Sequence, residues 1–213
     1  MSTQTIYTEQ NNCQDCYKCI RHCPVKAIKI EDHRASVVQE LCIYCGKCVD
    51  VCPAGAKRVR DDLSAARYLV DEHPVVLSLA PSYLAEFNDY NPYQLFEALY
   101  RLGFYQVGET AIGAEMVSHA TSQWLSRQKA GTWFSSCCPA VVQYICKYHP
   151  GHAHRLAPIE SPMQAHAQYI KSHQDPQTKV IFAGPCIAKK QESEDFTGGV
   201  DLALTFDELR TWL

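Results

Sequence analysis

Apolar residues fall into two patterns along the 213 residues of this chain. Beyond residue 73, short apolar runs alternate with stretches of helical period. Pro74 to Ala80, PVVLSLA, is a continuous apolar run of the kind that makes a buried strand, and Tyr93 to Leu102 sets Phe96, Leu99 and Tyr100 at helical spacing. Further strand-like runs are predicted at Phe104 to Val107, Thr132 to Ser136, Val180 to Ala183 and Asp201 to Leu204. Helical patterns lie between them, at Thr110 to Arg127, Ala140 to Tyr148 and Ser161 to His173. The last opens with Ser161 as N-cap, Pro162 in the first turn and Gln164 placed to complete a capping box. Alternating strands and helices predict an α/β domain with a largely parallel sheet, whose sites form beyond the carboxyl ends of its strands. Before residue 60 the periodicity is different. AIKIEDHRASVVQ, residues 27–39, alternates Ile28 and Ile30 with polar neighbours and returns through Val37 and Val38, which predicts a short hairpin.

A polar junction, Arg58 to Arg67, separates the two regions and divides the chain at residues 1–62 and 63–213. A hydrophobic fraction of 46% suffices for one medium domain with a core plus a smaller unit. Lys+Arg 20 against Asp+Glu 23 leaves a net charge of -3 with no basic run, so no nucleic-acid partner is expected. The N-terminal MSTQTIYTEQNNCQ has no basic segment followed by an apolar one, and no stretch is long and apolar enough to span a bilayer. A soluble, cytoplasmic protein is expected. Twelve cysteines in such a setting are best explained as metal ligands.

Eight of them form an internal repeat. Cys13, Cys16, Cys19 and Cys23 precede Pro24, and Cys42, Cys45, Cys48 and Cys52 precede Pro53, so C-x2-C-x2-C-x3-C-P occurs twice at an offset of 29 residues. Two-residue gaps let a tight loop turn three sulfurs toward one point, and the proline turns the chain away after the fourth. The repeat resembles that of bacterial two-cluster ferredoxins, in which the fourth cysteine of each run ligates the other cluster. That resemblance implies two 4Fe-4S clusters, one on Cys13, Cys16, Cys19 and Cys52 and one on Cys42, Cys45, Cys48 and Cys23, with the hairpin's apolar residues roofing them. A pair of structural zinc sites is the alternative, although zinc motifs usually come as separated C-x2-C pairs.

The other cysteines sit where the α/β reading expects chemistry. Cys137-Cys138-Pro139 follows TWFSS and Gly184-Pro185-Cys186 follows VIFA, so both motifs fall at predicted strand ends. Adjacent cysteines do not readily close a disulfide with each other. Cys146 lies along the helix that follows and is expected to be a buried structural thiol. SSCCPAVV is similar to the first active-site motif of the FeFe hydrogenases, usually TSCCP, and GPCIAKKQE to their second, PCxxKxxE; SPMQAHAQYIK resembles the helix between them. With the ferredoxin repeat, the resemblance covers nearly the whole chain. It implies an α+β ferredoxin-like two-cluster domain followed by an α/β hydrogenase-type domain.

Carried onto this sequence, the resemblance makes Cys138 and Cys186 ligands of the 4Fe-4S part of an H-cluster. Cys137 remains a free thiol that exchanges protons with the di-iron centre, a task suited to an ordinary pKa of about 8.5. Lys189 hydrogen-bonds an iron-bound cyanide, Glu192 orients Lys189, and Glu115 matches the first glutamate of the family's proton relay. Without the motif context, Lys189 and Glu192 read as a solvated helical pair. Ser118 and Ala157 stand where the relay's second glutamate and its serine are usual, Ser135 replaces a threonine, and Gly184 replaces a frequent methionine. These departures point to a divergent or sensory branch. His149, His152, His154, His166 and His173 offer another proton route but are expected at the surface.

The family's third motif is not found in these residues, and a C-terminal extension or second chain is expected to supply it. Thr205 and Glu208 begin a capping-box helix that reaches only Leu213. The favoured function is reversible oxidation of H2, with protons and H2 as substrates and a ferredoxin-type redox protein as electron partner. The competing readings are a non-catalytic electron carrier or sensory module, and a relative of the hydrogenase-like iron-sulfur assembly proteins, which generally lack the paired cysteines.

Overall fold

Residues 4–213 are described by a computed structural model. Its first unit contains four short strands, β1 (Ile6–Thr8), β2 (Ile28–Glu31), β3 (Arg34–Val37) and β4 (Lys57–Val59), and two short helices, α1 (Lys18–His22) and α2 (Lys47–Asp50). β2 and β3 form the expected hairpin, with Ile28 opposite Val37 and Ile30 opposite Ala35. Its two-residue turn, Asp32 and His33, has φ of 47° and 59°, the left-handed pair that matches the twist of a hairpin. β1 and β4 pair antiparallel, Ile6 with Val59 and Thr8 with Lys57, and so tie the two ends of the unit together.

The second unit runs α3 (Leu63–Glu72), β5 (Val75–Leu79), α4 (Tyr83–Glu86), α5 (Pro92–Arg101), β6 (Gln106–Glu109), α6 (Ala111–Leu125), α7 (Pro139–Tyr148), α8 (Pro162–His173), β7 (Lys179–Gly184), α9 (Ala188–Asp195), β8 (Leu202–Thr205) and α10 (Phe206–Trp212). Four strands make one parallel sheet in the order β6-β5-β7-β8. The α/β reading with a parallel sheet therefore holds. The chain enters at β5, steps outward to β6, then crosses back to β7 on the other side. That reversal puts a topological switch point between β5 and β7, whose carboxyl ends continue as Ala80-Pro81 and Pro185-Cys186. All five β5 residues are buried, as a sheet covered on both faces requires.

One polar side chain interrupts that core. Ser78 is fully buried in β5, and its hydroxyl lies 2.8 Å from both Thr110 Oγ1 and His166 Nδ1, so its burial is offset by hydrogen bonds. His166, expected at the surface, is 2% exposed on the inner face of α8, and its burial pushes its pKa below the ordinary value. Gly113 on α6 lets α8 approach closely, because a Cβ there would lie 2.2 Å from the Pro162 carbonyl oxygen.

Two further expectations need correction. Thr132 to Ser136 forms no strand; it makes a single parallel bridge from Phe134 to Leu156, because no neighbouring strand lies alongside to extend the ladder. Ser161 is the N-cap of α8, but the capping box does not close. Gln164 instead accepts the Val200 N–H at 3.1 Å and donates to the Glu192 carbonyl at 3.3 Å, leaving Ser161 Oγ buried without a partner. The polar junction is held in place. Arg58 and Val59 belong to β4 and α3 begins at Leu63. Asp62 between them accepts from Arg60 at 2.8 Å and from Lys190 at 2.8 Å.

Lys190 is 1% exposed and also donates to Glu208 Oε1 at 2.8 Å. Glu208 in turn accepts the Asp62 N–H and caps α10 through Thr205 in the expected capping box. Burial raises the Asp62 pKa, but the Arg60 and Lys190 hydrogen bonds outweigh it and hold the carboxyl below its ordinary range. Among the described residues no helix is long and apolar enough to cross a membrane. Replacing Lys190 by Met takes the shared cation from two half-buried carboxylates, and because Arg60 still holds Asp62 and Thr205 still donates to Glu208, a loss of about 3 kcal/mol is expected. It would be read as a lower denaturant midpoint at unchanged slope, and an unmoved midpoint would show that the network carries no stability.

Candidate functional site

The cysteine repeat is also a repeat of backbone conformation. Positive φ recurs at Asp15 and Tyr44 (50° and 57°), at Tyr17 and Gly46 (58° and 79°) and at Lys26 and Gly55 (55° and 57°), each pair 29 residues apart. Left-handed residues between closely spaced cysteines curl the chain into a cup with N–H groups directed inward. The Ala27 and Ala56 N–H groups donate to Cys23 Sγ and Cys52 Sγ, each at 3.2 Å, again at the same offset. Tyr44 N–H donates to Cys42 Sγ at 3.4 Å and Ala35 N–H to Cys13 Sγ at 3.5 Å. Backbone donors of this kind favour thiolate over thiol.

Each cup encloses a small cavity, and the cysteines around the two cavities sort by the crossed pattern. One is lined by Cys13, Cys16, Cys19 and Cys52, under Ile30 and Ala35 of the hairpin. The other is lined by Cys23, Cys42, Cys45 and Cys48, under Ile28 and Val37. Four sulfurs around a cavity, with amide donors on several of them, fit a 4Fe-4S cube. Among the described residues no three His, Cys, Asp or Glu side chains converge as ligands of a single metal ion. Burial pushes the Cys19 and Cys42 thiols up and Cys48 to about 12, so iron loading must displace protons there. Burial also acts upward on Cys52, but the backbone N–H groups of Lys57, Ala56 and Ala54 outweigh it and leave the thiol below its ordinary value.

The remaining motif residues gather where two helices begin. Cys138 is the residue before α7, with Pro139 in its first turn, and Cys186 lies two residues before α9. Lys189 links the segments, donating to the Cys137 carbonyl at 3.4 Å and pairing with Glu192 Oε2 at 2.6 Å. That pair is mostly shielded, its side chains 12% and 16% exposed, which sets it apart from a solvated surface pair. Ser135 Oγ accepts the Cys137 N–H at 3.3 Å, and Ser136 Oγ donates to the Ile159 carbonyl, so both serines fix the loop. Cys137 and Cys186 are half-buried and Cys138 is exposed. A cavity of about 280 Å³ beside them is lined by Pro139, Glu192, Ser161 and Tyr44, among others.

Other expected residues stand apart. Glu115 is exposed on α6 with no hydrogen bond or ion pair to Cys137. A side chain at Gly184 would run into the Phe182 ring, 2.6 Å from its Cβ, so the room for a methionine is already filled. Cys146 is exposed, contrary to expectation: Ile145 faces inward on α7, and the next residue lies about 100° round the helix. His149, His152, His154 and His173 are exposed as expected.

Two features escaped sequence reasoning. Lys57 looks like one more charge in AGAKRVRDD, yet it is 2% exposed beside the first cavity. The contact between the units is the other. Gly46, in the second cysteine run, faces Ile187, whose Cδ1 would lie 2.7 Å from a Cβ added there. Lys147 and Tyr148 of α7 donate to the Cys42 and Leu41 carbonyls, each at 2.7 Å.

Comparison with known proteins accords with both units. A family model described as the iron only hydrogenase large subunit, C-terminal domain, matches residues 73–213, and one described as a 4Fe-4S dicluster domain matches residues 5–61. A solved structure from work on oxygen inactivation of an [FeFe]-hydrogenase, through modification and degradation of the H cluster 2Fe subcluster, superposes with a TM-score of 0.56 at 20% identity. The match covers 71% of this chain and 46% of that one, and at this identity it shows the fold alone.

The crossed assignment has a direct test in paired substitutions. Cys16→Ala with Cys52→Ala should remove half the bound iron and sulfide, because both residues border one cavity. Cys45→Ala with Cys52→Ala should impair both clusters. The opposite ranking would show that each run holds its own cluster.

Proposed function

Because the chain belongs to the iron only hydrogenase large-subunit family, we propose that it is an iron-sulfur oxidoreductase. Its two four-iron clusters exchange electrons with a site at Cys137, Cys138 and Cys186, where H2 and protons are interconverted. The packing of the second cysteine run against the start of α9 carries this reading. Gly46 abuts Ile187, the residue after Cys186, and Tyr44 borders the same cavity as Pro139 and Glu192. The cluster of Cys42, Cys45, Cys48 and Cys23 is therefore proximal to the reaction site. The first run turns elsewhere: Asp15 pairs with His33 Nδ1 at 3.1 Å, and Cys16 is exposed. A ferredoxin-type redox protein in the cytoplasm would exchange electrons at that end.

An H-cluster would be held through Cys138 and Cys186, and when bound it supplies the metal chemistry of hydrogen cleavage. The chain's own residues then have separate tasks. Cys137 holds the mobile proton on its thiol. Lys189 presents an ammonium to an anionic ligand, while Glu192, 2.6 Å away, fixes its direction and balances its charge. Glu115, exposed on α6, makes no hydrogen bond to Cys137, so a relay through it needs intervening water. Two thiolates leave a four-iron cube short of ligands. The third motif of the family, borne on further polypeptide, completes the set.

A second reading is an electron carrier or sensory module with a non-catalytic hydrogenase-type domain. The Phe182 ring filling the space beside Gly184, and the unconnected Glu115, favour it. Hydrogen-deuterium exchange separates the two after maturation with the family's assembly enzymes. The chain should exchange only when extended by, or mixed with, a segment bearing the third motif, and Cys137→Ala should abolish exchange without loss of iron. Clusters that assemble fully in the completed form but never exchange would support the carrier.

A further inference from the structure

At one position buried in both halves the repeat changes from apolar to charged. Ile28 and Lys57 are 29 residues apart, and each follows the alanine whose N–H donates to the last cysteine of its run. Ile28 lines the cavity of Cys23, Cys42, Cys45 and Cys48, whereas Lys57 lines that of Cys13, Cys16, Cys19 and Cys52. Both are buried, at 8% and 2% exposure. One cavity is thus covered by a hydrocarbon and its counterpart by an ammonium.

Lys57 Nζ donates to Thr8 Oγ1 and to the Ala35 carbonyl, the latter at 3.1 Å, and both partners are neutral. Among the described residues it pairs with no carboxylate. Burial lowers the Lys57 pKa, and the sulfurs that oppose this and favour the ammonium are those of Cys19, Cys48, Cys13 and Cys52. Three of these four belong to the set around its own cavity. A buried cation needs a countercharge, and the one available here is the thiolate-ligated cluster itself.

We propose that Lys57 sets the reduction potential of the cluster on Cys13, Cys16, Cys19 and Cys52 above that of the cluster on Cys42, Cys45, Cys48 and Cys23. This rests on the two-cluster reading above, not on hydrogen chemistry. Reduction adds one electron, and hence one negative charge, and a fixed ammonium in a poorly screened site stabilises the reduced form. Ile28 offers the other cluster no such charge, and Lys147, which donates to the Cys42 carbonyl at 2.7 Å, is only half-buried and therefore better screened by solvent. The first electron delivered to the chain therefore rests at the end farther from Cys137 and Cys186, which biases flow outward, toward an external acceptor.

The test is a redox titration of the reconstituted full chain with low-potential mediator dyes, followed by electron paramagnetic resonance. The Cys23→Ala/Cys45→Ala chain isolates the cluster beside Lys57, and the Cys16→Ala/Cys52→Ala chain isolates the other. Lys57→Ile, which installs the residue of the other repeat, should lower the reduced-to-oxidised ratio of the first cluster at fixed poise at least tenfold, about 59 mV for one electron. The second cluster should move less, and Lys57→Arg should keep both midpoints. If Lys57→Ile fails to hold iron, Lys57→Gln carries the same expectation. An unchanged first midpoint, or a larger shift in the second, overturns the proposal alone. A wild-type chain that takes up no four-iron cluster overturns it together with the two-cluster reading.

Discussion

A single buried ammonium fixes how the two halves of this molecule meet. Lys190 sits on α9, the helix that begins just beyond Cys186 and also carries Lys189 and Glu192. It holds Asp62, the last residue before α3, and Glu208, which caps α10. One charge therefore registers the exit from the cysteine-rich unit, the helix bearing the second motif and the end of the sheet. Such a network is not a large source of stability in itself, since desolvation offsets much of the attraction, but breaking it is costly. Its value lies in specificity of arrangement: with α9 fixed against Asp62, Ile187 presses on Gly46 and the second cysteine run faces the segment that carries Cys186.

The cysteine-rich unit has a different dependence. About sixty residues bury too little apolar surface to be robust alone, and small domains of this size commonly rely on metals or other staples. Its core is correspondingly made of cysteines together with Ile6, Ala27, Ile28 and Ile43, and it is contiguous with Cys186, Ile187 and Ala188 of the second unit. Crossing the fourth cysteine of each run ties the two halves of the unit to each other, and the pairing of β1 with β4 closes it from the outside. Within this frame, Ile28 against Lys57 is the departure from symmetry that places a buried charge beside one of two otherwise apolar-roofed cavities.

Much of this was legible in the sequence because the physics is local there. Cluster ligation fixes cysteine spacing within each run, and a sheet covered on both faces forces continuous apolar strands such as Val75–Leu79. What escaped depends on distant partners. Lys57 and Lys190 lie in strongly polar segments, and nothing nearby in sequence reveals that Thr8, Ala35, Asp62 and Glu208 wait for them. β1 has three residues, and its partner lies some fifty residues away. TWFSS has strand-like composition but no neighbouring strand, and Gln164 leaves its capping position because Val200 and Glu192 offer better-placed partners. Local patterns show what a residue can do; packing decides which option is used.

In the proposed arrangement, eight thiolates hold two neighbouring four-iron clusters beside the site at Cys137, Cys138 and Cys186. The most direct measurement is electron paramagnetic resonance of the anaerobically reconstituted chain, fully reduced, alongside its iron and sulfide content. Two four-iron clusters with spectra broadened and split by mutual spin coupling are predicted. Zinc in place of iron and sulfide, or a single magnetically isolated cluster, would contradict the account.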